Sequence, residues 1–435
     1  MTILQLLGGF SSRATAALSE AWNGPPVLPV EDTAGNEEDY RARYEEVPMT
    51  DAGAGAGTTT ATVLGEGEFG EVLLIREKIL RRAGCSEEDE GPSNGGDNDG
   101  YRVTDERSAA PAGRGRLFAS KILRKGYSMK HNVVYSPPLP GVLANEVRIL
   151  RALGGYRYCL RLEGAYEGPR LVYLVTEVSH PSLDLAGYRK RLLGELDGEN
   201  TVILTEEVVR DVTVRLLSAI DHCANRGIIH RDVKPANVMF VGGRDDGGKE
   251  QGQDGNFVDG LRLIDFGSGC LDDIDVVEST TKSKEGLPSD PKKSTTGRHT
   301  TMAGSAFYNS PEMFRRSYAS KTDVWSAGVT AYVFACGFPD NDRMQKVFDS
   351  MHRSPKKGRD LRGGLMPPRK PGGEKVFVAA NADTEGNGND CGGPLPDSFW
   401  RMLDDSLLVY WDKNRMSAGE ALERCDFFRP GDEEK

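Results

Sequence analysis

The sequence lacks two features that mark large classes of proteins. No apolar run approaches the ~18 residues needed to cross a bilayer. The seven cysteines are odd in number, scattered, and form no Cys-x-x-Cys pair. That pattern fits a reducing compartment and argues against both a disulfide framework and a zinc site. At 435 residues, 28% charged and 38% hydrophobic, the chain has enough residues for one large domain or two to three average ones.

The negative charge is concentrated in two stretches. The net charge is −11, and residues 85–113 carry eight acids and two bases, while residues 242–260 carry five acids and two bases. Both stretches are rich in glycine, so we expect solvated loops whose acidity has no bearing on a partner. Residues 1–22 contain one base, Arg13, and resemble an organelle transit peptide only faintly; a plain disordered or packed N-terminus explains them better.

Two polar motifs each lie beside an apolar strand. The first is IIHRDVKPANVMF at 228–240, where Asn237 follows Asp232 by five residues, and the second is LRLIDFG at 261–267, which contains Asp265. Phosphoryl transfer needs one carboxylate near the attacking hydroxyl, plus hard oxygen ligands for magnesium. A chance His-Arg-Asp in a surface loop is the alternative for either motif alone, but both motifs in this order favour phosphoryl transfer.

A glycine-rich turn precedes these motifs. Gly65, Gly67 and Gly70 lie between apolar residues, and a strand pattern at 72–75 follows directly. Glycine lets backbone N–H groups approach phosphates without an obstructing Cβ atom. The G-x-G-x-x-G pattern also marks dinucleotide-binding turns, but there a helix follows the turn.

These motifs, taken with four others, resemble those of eukaryotic-type protein kinases over about residues 58–428. The others are Ala119-Ser120-Lys121, GSAFYNSPE at 304–312, YASKTDVWSAGV at 318–329 and NRMSA at 414–418. Lys234 is typical of the serine/threonine class, and residues 318–337 look most like the calmodulin-dependent and calcium-dependent group. The resemblance implies an α+β fold with two lobes, a small antiparallel β lobe with one main helix and a larger, mainly helical lobe. ATP and Mg²⁺ would bind in the cleft between them.

The resemblance also assigns roles to individual residues. Asp232, Lys234 and Lys121 would be catalytic, Asn237 and Asp265 would bind metal, and Thr301 or Thr300 would carry an activating phosphate. Glu312, Asp323 and Arg415 would be structural. The ATP-binding residues would be Leu64, Gly65, Gly67, Gly70, Val72, Ala119, Lys121, Glu146, Glu177, Ser179 and Met239. Lys125 is a competitor for the role of Lys121, and the Ala-x-Lys context favours Lys121.

The resemblance predicts four regions along the chain. Residues 1–57 would be a disordered segment and linker, 58–178 the small lobe, 179–428 the large lobe, and 429–435 a tail. Insertions are expected at about 77–116, 242–258, 272–298 and 351–395.

The expected partners are protein substrates, ATP and an upstream kinase, with neither nucleic acid nor membrane, in the cytoplasm or nucleus. No EF-hand loop follows the domain, so the sequence does not support direct calcium binding. Two alternatives stay open: a pseudokinase that binds ATP without turnover, and a kinase that acts on a small molecule.

Overall fold

The computed structural model describes the chain in segments separated by gaps. These are residues 28, 33–48, 61–67, 70–78, 115–125, 128–130, 133–135, 140–178, 183–193, 204–241, 260–271, 298–339, 344–345, 348–349, 352 and 395–429. The four predicted insertions lie almost wholly outside the described residues, as do Ser179, residues 1–22 and most of the predicted tail.

The first part of the chain forms a small lobe built on one sheet. Its elements are β1 (Gly35–Asn36), α1 (Glu37–Arg43), β2 (Tyr44–Glu46), β3 (Val63–Gly67), β4 (Gly70–Glu77), β5 (Leu117–Arg124), β6 (Ser128–Lys130), β7 (Val133–Tyr135), α2 (Pro140–Ala152), β8 (Leu162–Glu167) and β9 (Leu171–Thr176).

The remaining elements form a mainly helical large lobe. They are β10 (Leu183–Asp184), α3 (Leu185–Leu192), α4 (Glu206–Ala224), β11 (Ile228–Ile229), β12 (Val238–Phe240), β13 (Leu261–Leu263), β14 (Cys270–Leu271), α5 (Pro311–Phe314), α6 (Lys321–Cys336), α7 (Asp397–Arg401) and α8 (Ala418–Arg424). The predicted two-lobed α+β fold is confirmed.

The small-lobe sheet has seven strands in the order β1-β8-β9-β5-β4-β2, with β3 also paired to β4. Every pairing is antiparallel except that of β1 with β8. The central strands β5 and β9 are rich in β-branched and apolar residues, which suit a half-buried pleated surface. Their register places Lys121 opposite Leu174 on β9, and Val72 of β4 pairs with Lys121 from the other side.

The chain leaves the sheet at the end of β4 and returns to it beside the same point at the start of β5. Glu77 N–H donates to the carbonyl of Arg116 at 2.9 Å. A Cβ on Gly115 would lie 1.6 Å from the carbonyl oxygen of Glu77, so only glycine fits there. Strands β4 and β5 therefore pair as an ordinary hairpin, although Leu117 comes 40 residues after Glu77 in the sequence. At one end of the pair Gly70 and Glu71 lie opposite Leu123 and Ile122, and at the other end Arg76 lies opposite Leu117.

The prediction that residues 1–57 are disordered is wrong for residues 33–48. Helix α1 begins with a capping box between Asn36 and Asp39. Tyr40 and Tyr44 are buried on the sheet, and the Tyr40 ring stacks on Tyr173 at 4.1 Å between centroids. The folded small lobe thus begins well before residue 58, because these aromatic side chains cover a sheet face that would otherwise meet water.

The core of the large lobe forms around two helices. Thr205 caps α4, since its hydroxyl accepts from Val208 N–H at 3.3 Å, and α4 presents one buried stripe to the core. Helix α6 is buried along nearly its whole length, and Trp325 on it is fully buried. Among the described residues, no helix is long and apolar enough to span a membrane.

Candidate active site

Lys121 is the centre of an ion-pair triad (Lys121, Glu146 and Asp265) between the lobes. Its Nζ donates to Glu146 Oε1 at 2.8 Å and to Asp265 Oδ1 at 3.1 Å. Strand β5 supplies the lysine, α2 supplies Glu146, and the turn after β13 supplies Asp265. Burial alone would lower the pKa of Lys121, but the two carboxylates outweigh it and raise that pKa. The charge of Lys121 in turn holds the pKa of Asp265 below its usual value.

The alternative lysine lies elsewhere. Lys125 is buried and forms an ion pair with Glu167 at the end of β8. Its ammonium group is therefore used to neutralise a buried carboxylate. The structure brings Lys121, and not Lys125, to Asp265.

Asp232 lies on a loop whose backbone is held by hydrogen bonds to a buried carboxylate. Asp323, buried at the start of α6, accepts from the N–H groups of His230 at 2.7 Å and Arg231 at 2.9 Å. Burial raises the pKa of Asp323, although these hydrogen bonds oppose the shift. Arg231 has a positive φ of 68°, a conformation that non-glycine residues rarely adopt. The two hydrogen bonds to Asp323 offset this strain and set the direction of the Asp232 side chain.

The carboxylate of Asp232 accepts hydrogen bonds from three residues. Lys234 Nζ donates to Oδ2 at 2.8 Å, Asn237 Nδ2 donates to the same oxygen at 3.2 Å, and Ser305 N–H donates to Oδ1 at 2.9 Å. Lys234 also donates to the hydroxyl of Ser305 at 2.9 Å. The sequence identified Lys234 and Asn237 but not Ser305, whose signal is its place after Gly304 in the 304–312 motif.

Asp265 occupies a strained turn held by packing. Its φ of 62° and ψ of 72° lie in the left-handed region. The next residue, Phe266, is buried with its ring edge-on to His230 at 4.7 Å between centroids. Since a carbonyl only accepts, the imidazole Nε2 of His230 must be the donor to Ile264 O at 2.9 Å. Phe266 and His230 together keep the Asp265 carboxylate directed at Lys121.

Two positions of the β3–β4 hairpin are occupied by glycine for different reasons. A Cβ at Gly70 would lie 1.8 Å from the carbonyl oxygen of Ile122, so the neighbouring strand demands glycine. A Cβ at Gly65 would meet no atom within 4 Å. Protein packing therefore does not require glycine at position 65, and the open space there can admit the predicted phosphate group. Gly67 pairs with Gly70 across the same turn.

The other predicted nucleotide-binding residues lie on strands around Lys121 and at the start of the large lobe. Leu64 is on β3, Val72 on β4, Ala119 on β5 opposite Thr176, and Met239 on β12. Glu177 follows β9, but its carboxylate accepts from Arg262 Nε at 3.1 Å and from Arg161 N–H at 2.9 Å. Both hydrogen bonds end on the Oε1 atom, so protein contacts hold the Glu177 carboxylate just after β9.

The donor set suits magnesium and a triphosphate. Asp265 offers a carboxylate, and Asn237 uses its amide nitrogen on Asp232, so its amide oxygen is the atom able to bind a cation. One carboxylate and one amide oxygen, completed by phosphate oxygens and water, meet the preference of Mg²⁺ for hard oxygen ligands. Lys121 and the space at Gly65 complement the phosphate charge and volume.

The segment after Asp265 is anchored at its far end by a buried ion pair. Arg415 pairs with Glu312 through both guanidinium NH groups, one of them at 3.1 Å. Arg415 also donates to the carbonyls of Val409 and Lys321. This bidentate pair ties the 304–312 motif to the end of the domain.

Of the two predicted phosphorylation sites, Thr301 is linked to Arg231 by way of a tyrosine. The Thr301 side chain is exposed, and its carbonyl accepts from Tyr318 Oη–H at 2.6 Å. Arg231 donates to that tyrosine oxygen at 3.2 Å and to the carbonyl of Gly269 at 3.0 Å. The sequence did not indicate Tyr318 as a site residue.

This geometry is that of a protein kinase, and comparison with known families agrees. Residues 107–424 match the protein kinase domain family, so the chain belongs to that family. The match begins after the glycine-rich hairpin, which the long insertion separates from β5 in sequence but not in space.

The relatives belong to the group that the sequence indicated. The chain is 28% identical to CDPK-related kinase 3 of Arabidopsis thaliana and 31% identical to a CDPK-related protein kinase of Daucus carota, each over 192 residues, 44% of this chain. It is 28% identical to calcium-dependent protein kinase 5 of Oryza sativa subsp. japonica over 212 residues, 47% of this chain. These stretches span only 25% to 30% of the relatives' own length.

Proposed function

We propose that the chain is an ATP- and Mg²⁺-dependent kinase that phosphorylates serine and threonine hydroxyls of protein substrates. The observation that carries the proposal is the ion-pair triad, in which Lys121 bonds Glu146 and Asp265 at once. The two carboxylates come from different lobes, so the pairing requires the lobes to be closed around the cleft. Asp232 lies on the braced loop at the floor of that cleft.

The residues present can divide the work of phosphoryl transfer. Bound Mg²⁺–ATP would supply the phosphoryl group and spread its charge. Lys121 would hold the α and β phosphates, while Asn237 and Asp265 would hold the metal. Asp232 would accept a hydrogen bond from the incoming hydroxyl, since a carboxylate has about four lone-pair sites and can accept beyond its present donors. Lys234, at 2.8 Å from Asp232, would balance charge as transfer proceeds.

The position of Lys234 supports serine and threonine as acceptors. Lys234 contacts both Asp232 and Ser305, so it joins the catalytic loop to the 304–312 motif where a peptide would lie. The purified chain with radiolabelled ATP, Mg²⁺ and peptide arrays bearing serine, threonine or tyrosine tests this. We expect label on serine and threonine peptides, and none with Asp232→Asn protein of equal thermal stability. Nucleotide binding without transfer would favour the pseudokinase, and label only on small molecules would favour the other alternative.

We also propose that phosphorylation of Thr301, or of Thr300 in its place, activates the enzyme. A phosphothreonine brings about −1.5 to −2 charges and three acceptor oxygens. Arg231 now donates to the backbone carbonyl of Gly269 and to Tyr318 Oη. A phosphate would replace these neutral acceptors by a charge-assisted pair and so order the segment.

Mass spectrometry of active enzyme tests the activation step. Rates for Thr301→Ala, Thr300→Ala and the double variant should fall together with the loss of phosphate. If the double variant keeps full activity, the activation proposal is wrong and packing alone orders the segment.

The proposed partners are protein substrates, ATP and an upstream kinase, and the proposed location is the cytoplasm or nucleus. Neither nucleic acid nor membrane is among them. Fluorescence microscopy of the tagged chain tests the location, and a pull-down with the Asp232→Asn variant tests the protein partners.

A further inference from the structure

The C-terminal end of α2 has an unusual set of hydrogen-bond partners. Helix termini leave backbone carbonyls without intrahelical donors. Here Arg226 Nε donates to the carbonyl of Ala152 at 3.0 Å, and His222 Nε2 bonds the carbonyl of Leu153 at 3.0 Å. Both side chains come from the end of α4 and the turn after it, in the large lobe.

The two side chains support one another. Arg226 NH1 lies 3.1 Å from His222 Nδ1, and the Tyr156 ring stacks on the imidazole at 3.8 Å between centroids with 9° between planes. A guanidinium only donates and a carbonyl only accepts, so His222 must be neutral, with its proton on Nε2. Burial lowers the pKa of His222, and the charge of Arg226 acts in the same direction.

The loop after α2 also contacts the strand that leads to Asp265. Leu263 N–H donates to the carbonyl of Tyr158 at 2.8 Å, and Leu160 N–H donates to the carbonyl of Leu263 at 3.0 Å. Gly154 and Gly155, both with positive φ, turn the chain from α2 into this loop. The end of α2 is therefore held between α4 and β13.

We infer that His222 and Arg226 are positioning residues that hold Glu146 against Lys121 by fixing the end of α2. We call the pair the α2 clamp. Glu146 lies six residues before Ala152, about 9 Å along a rigid helix, so a rotation at the clamped end moves its carboxylate away from Lys121. The positive charge of Arg226 at the helix C-terminus adds a favourable interaction with the helix dipole. This inference rests on the proposed phosphotransfer only for its kinetic test.

A double-mutant cycle separates positioning from stability. We expect His222→Ala and Arg226→Ala each to lower kcat by at least about fivefold, while Asn225→Ala does not. Asn225 is the matched control because it is exposed and its amide donates to Asp221 on the same helix. In a Glu146→Ala background, loss of Arg226 should reduce kcat little further. Losses that multiply in that background would overturn the inference.

A conservative variant provides a readout that simple destabilisation would not move. His222→Gln keeps an N–H donor near Leu153 but cannot gain a proton, so it should restore activity relative to His222→Ala. Protonation of His222 would place an N–H against Arg226; besides Arg226, the other titratable groups facing the ring are Tyr156 and Asp221. Wild-type kcat should therefore fall more steeply than that of His222→Gln as the pH drops through the lowered pKa of His222. Identical pH profiles, or no rescue, would contradict the clamp.

A measurement without turnover distinguishes failure of the clamp from failure of the proposed function. Hydrogen exchange of the amides of Leu153, Gly154 and Tyr156 should be faster in Arg226→Ala than in Asn225→Ala. Unchanged exchange refutes the clamp whether or not the chain is active. Faster exchange in a chain that transfers no phosphate would leave the clamp standing and refute only the proposed function.

Discussion

Replacing Tyr40 tests whether the segment before residue 58 belongs to the folded small lobe. The Tyr40 ring is 7% exposed, stacks on Tyr173, is tilted against Tyr44 and lies edge-on to Tyr166. Its hydroxyl donates to the fully buried Ser120 Oγ at 3.0 Å. Truncating a buried aromatic residue costs about 3–5 kcal/mol. At about 2–4 °C per kcal/mol, Tyr40→Ala should lower the melting temperature by about 6–20 °C.

Two further variants separate the contribution of the Tyr40 hydroxyl group to stability from that of an exposed residue on the same helix. Tyr40→Phe keeps the ring and leaves Ser120 without its donor, which should cost about 1–3 kcal/mol. Arg41→Ala is the control, because Arg41 is exposed on the same helix and forms an ion pair with Glu37 four residues away, a pair worth about 0.3–0.5 kcal/mol. Differential scanning fluorimetry with and without nucleotide measures all three. Equal melting temperatures for Tyr40→Ala and Arg41→Ala would show that the segment does not pack on the sheet.

Three other predictions concern the site and the insertions. Asp232→Ala should lower kcat by about 10²–10⁴-fold with little change in melting temperature, and wild-type rates from folded variant protein would refute its role. Arg415→Ala should cost about 3–5 kcal/mol in unfolding experiments, since it leaves the Glu312 carboxylate buried and unpaired; a stability loss below about 1 kcal/mol would contradict this. Deleting 85–113, or 245–256, should leave thermal unfolding nearly unchanged, and a large drop would reveal a folded element there.

The sequence predicted the fold and nominated most residues of the candidate site, because these residues lie in short motifs with fixed spacing. Asp232 and Asn237 share one loop, and Asp265 follows one strand. Each can be identified without knowing any distant contact. Lys121 and Glu146 were harder, because their pairing depends on the register of β5 against the rest of the sheet.

The parts that sequence reasoning missed depend on contacts between distant residues. Helix α1 reads EEDYRAR, with Tyr40 as its one buried residue, so it shows no apolar stripe. A glycine-alanine run at 52–57 then suggested a linker after it. His222 and Arg226 read as ordinary polar residues at a helix end, and only the structure brings them to the carbonyls of α2.

The closed base of the β4–β5 hairpin has a consequence for how this chain could be labelled. Since Glu77 and Arg116 are hydrogen-bonded neighbours, the two ends of any segment inserted between them lie close together. Doubling the length of a connecting loop costs only about 0.6 kcal/mol of closure entropy. A fluorescent domain whose own termini are adjacent could therefore replace residues 85–113 and label the sheet that carries Lys121. A second fluorophore at the exposed Trp411 position would then report opening and closing of the two lobes by energy transfer.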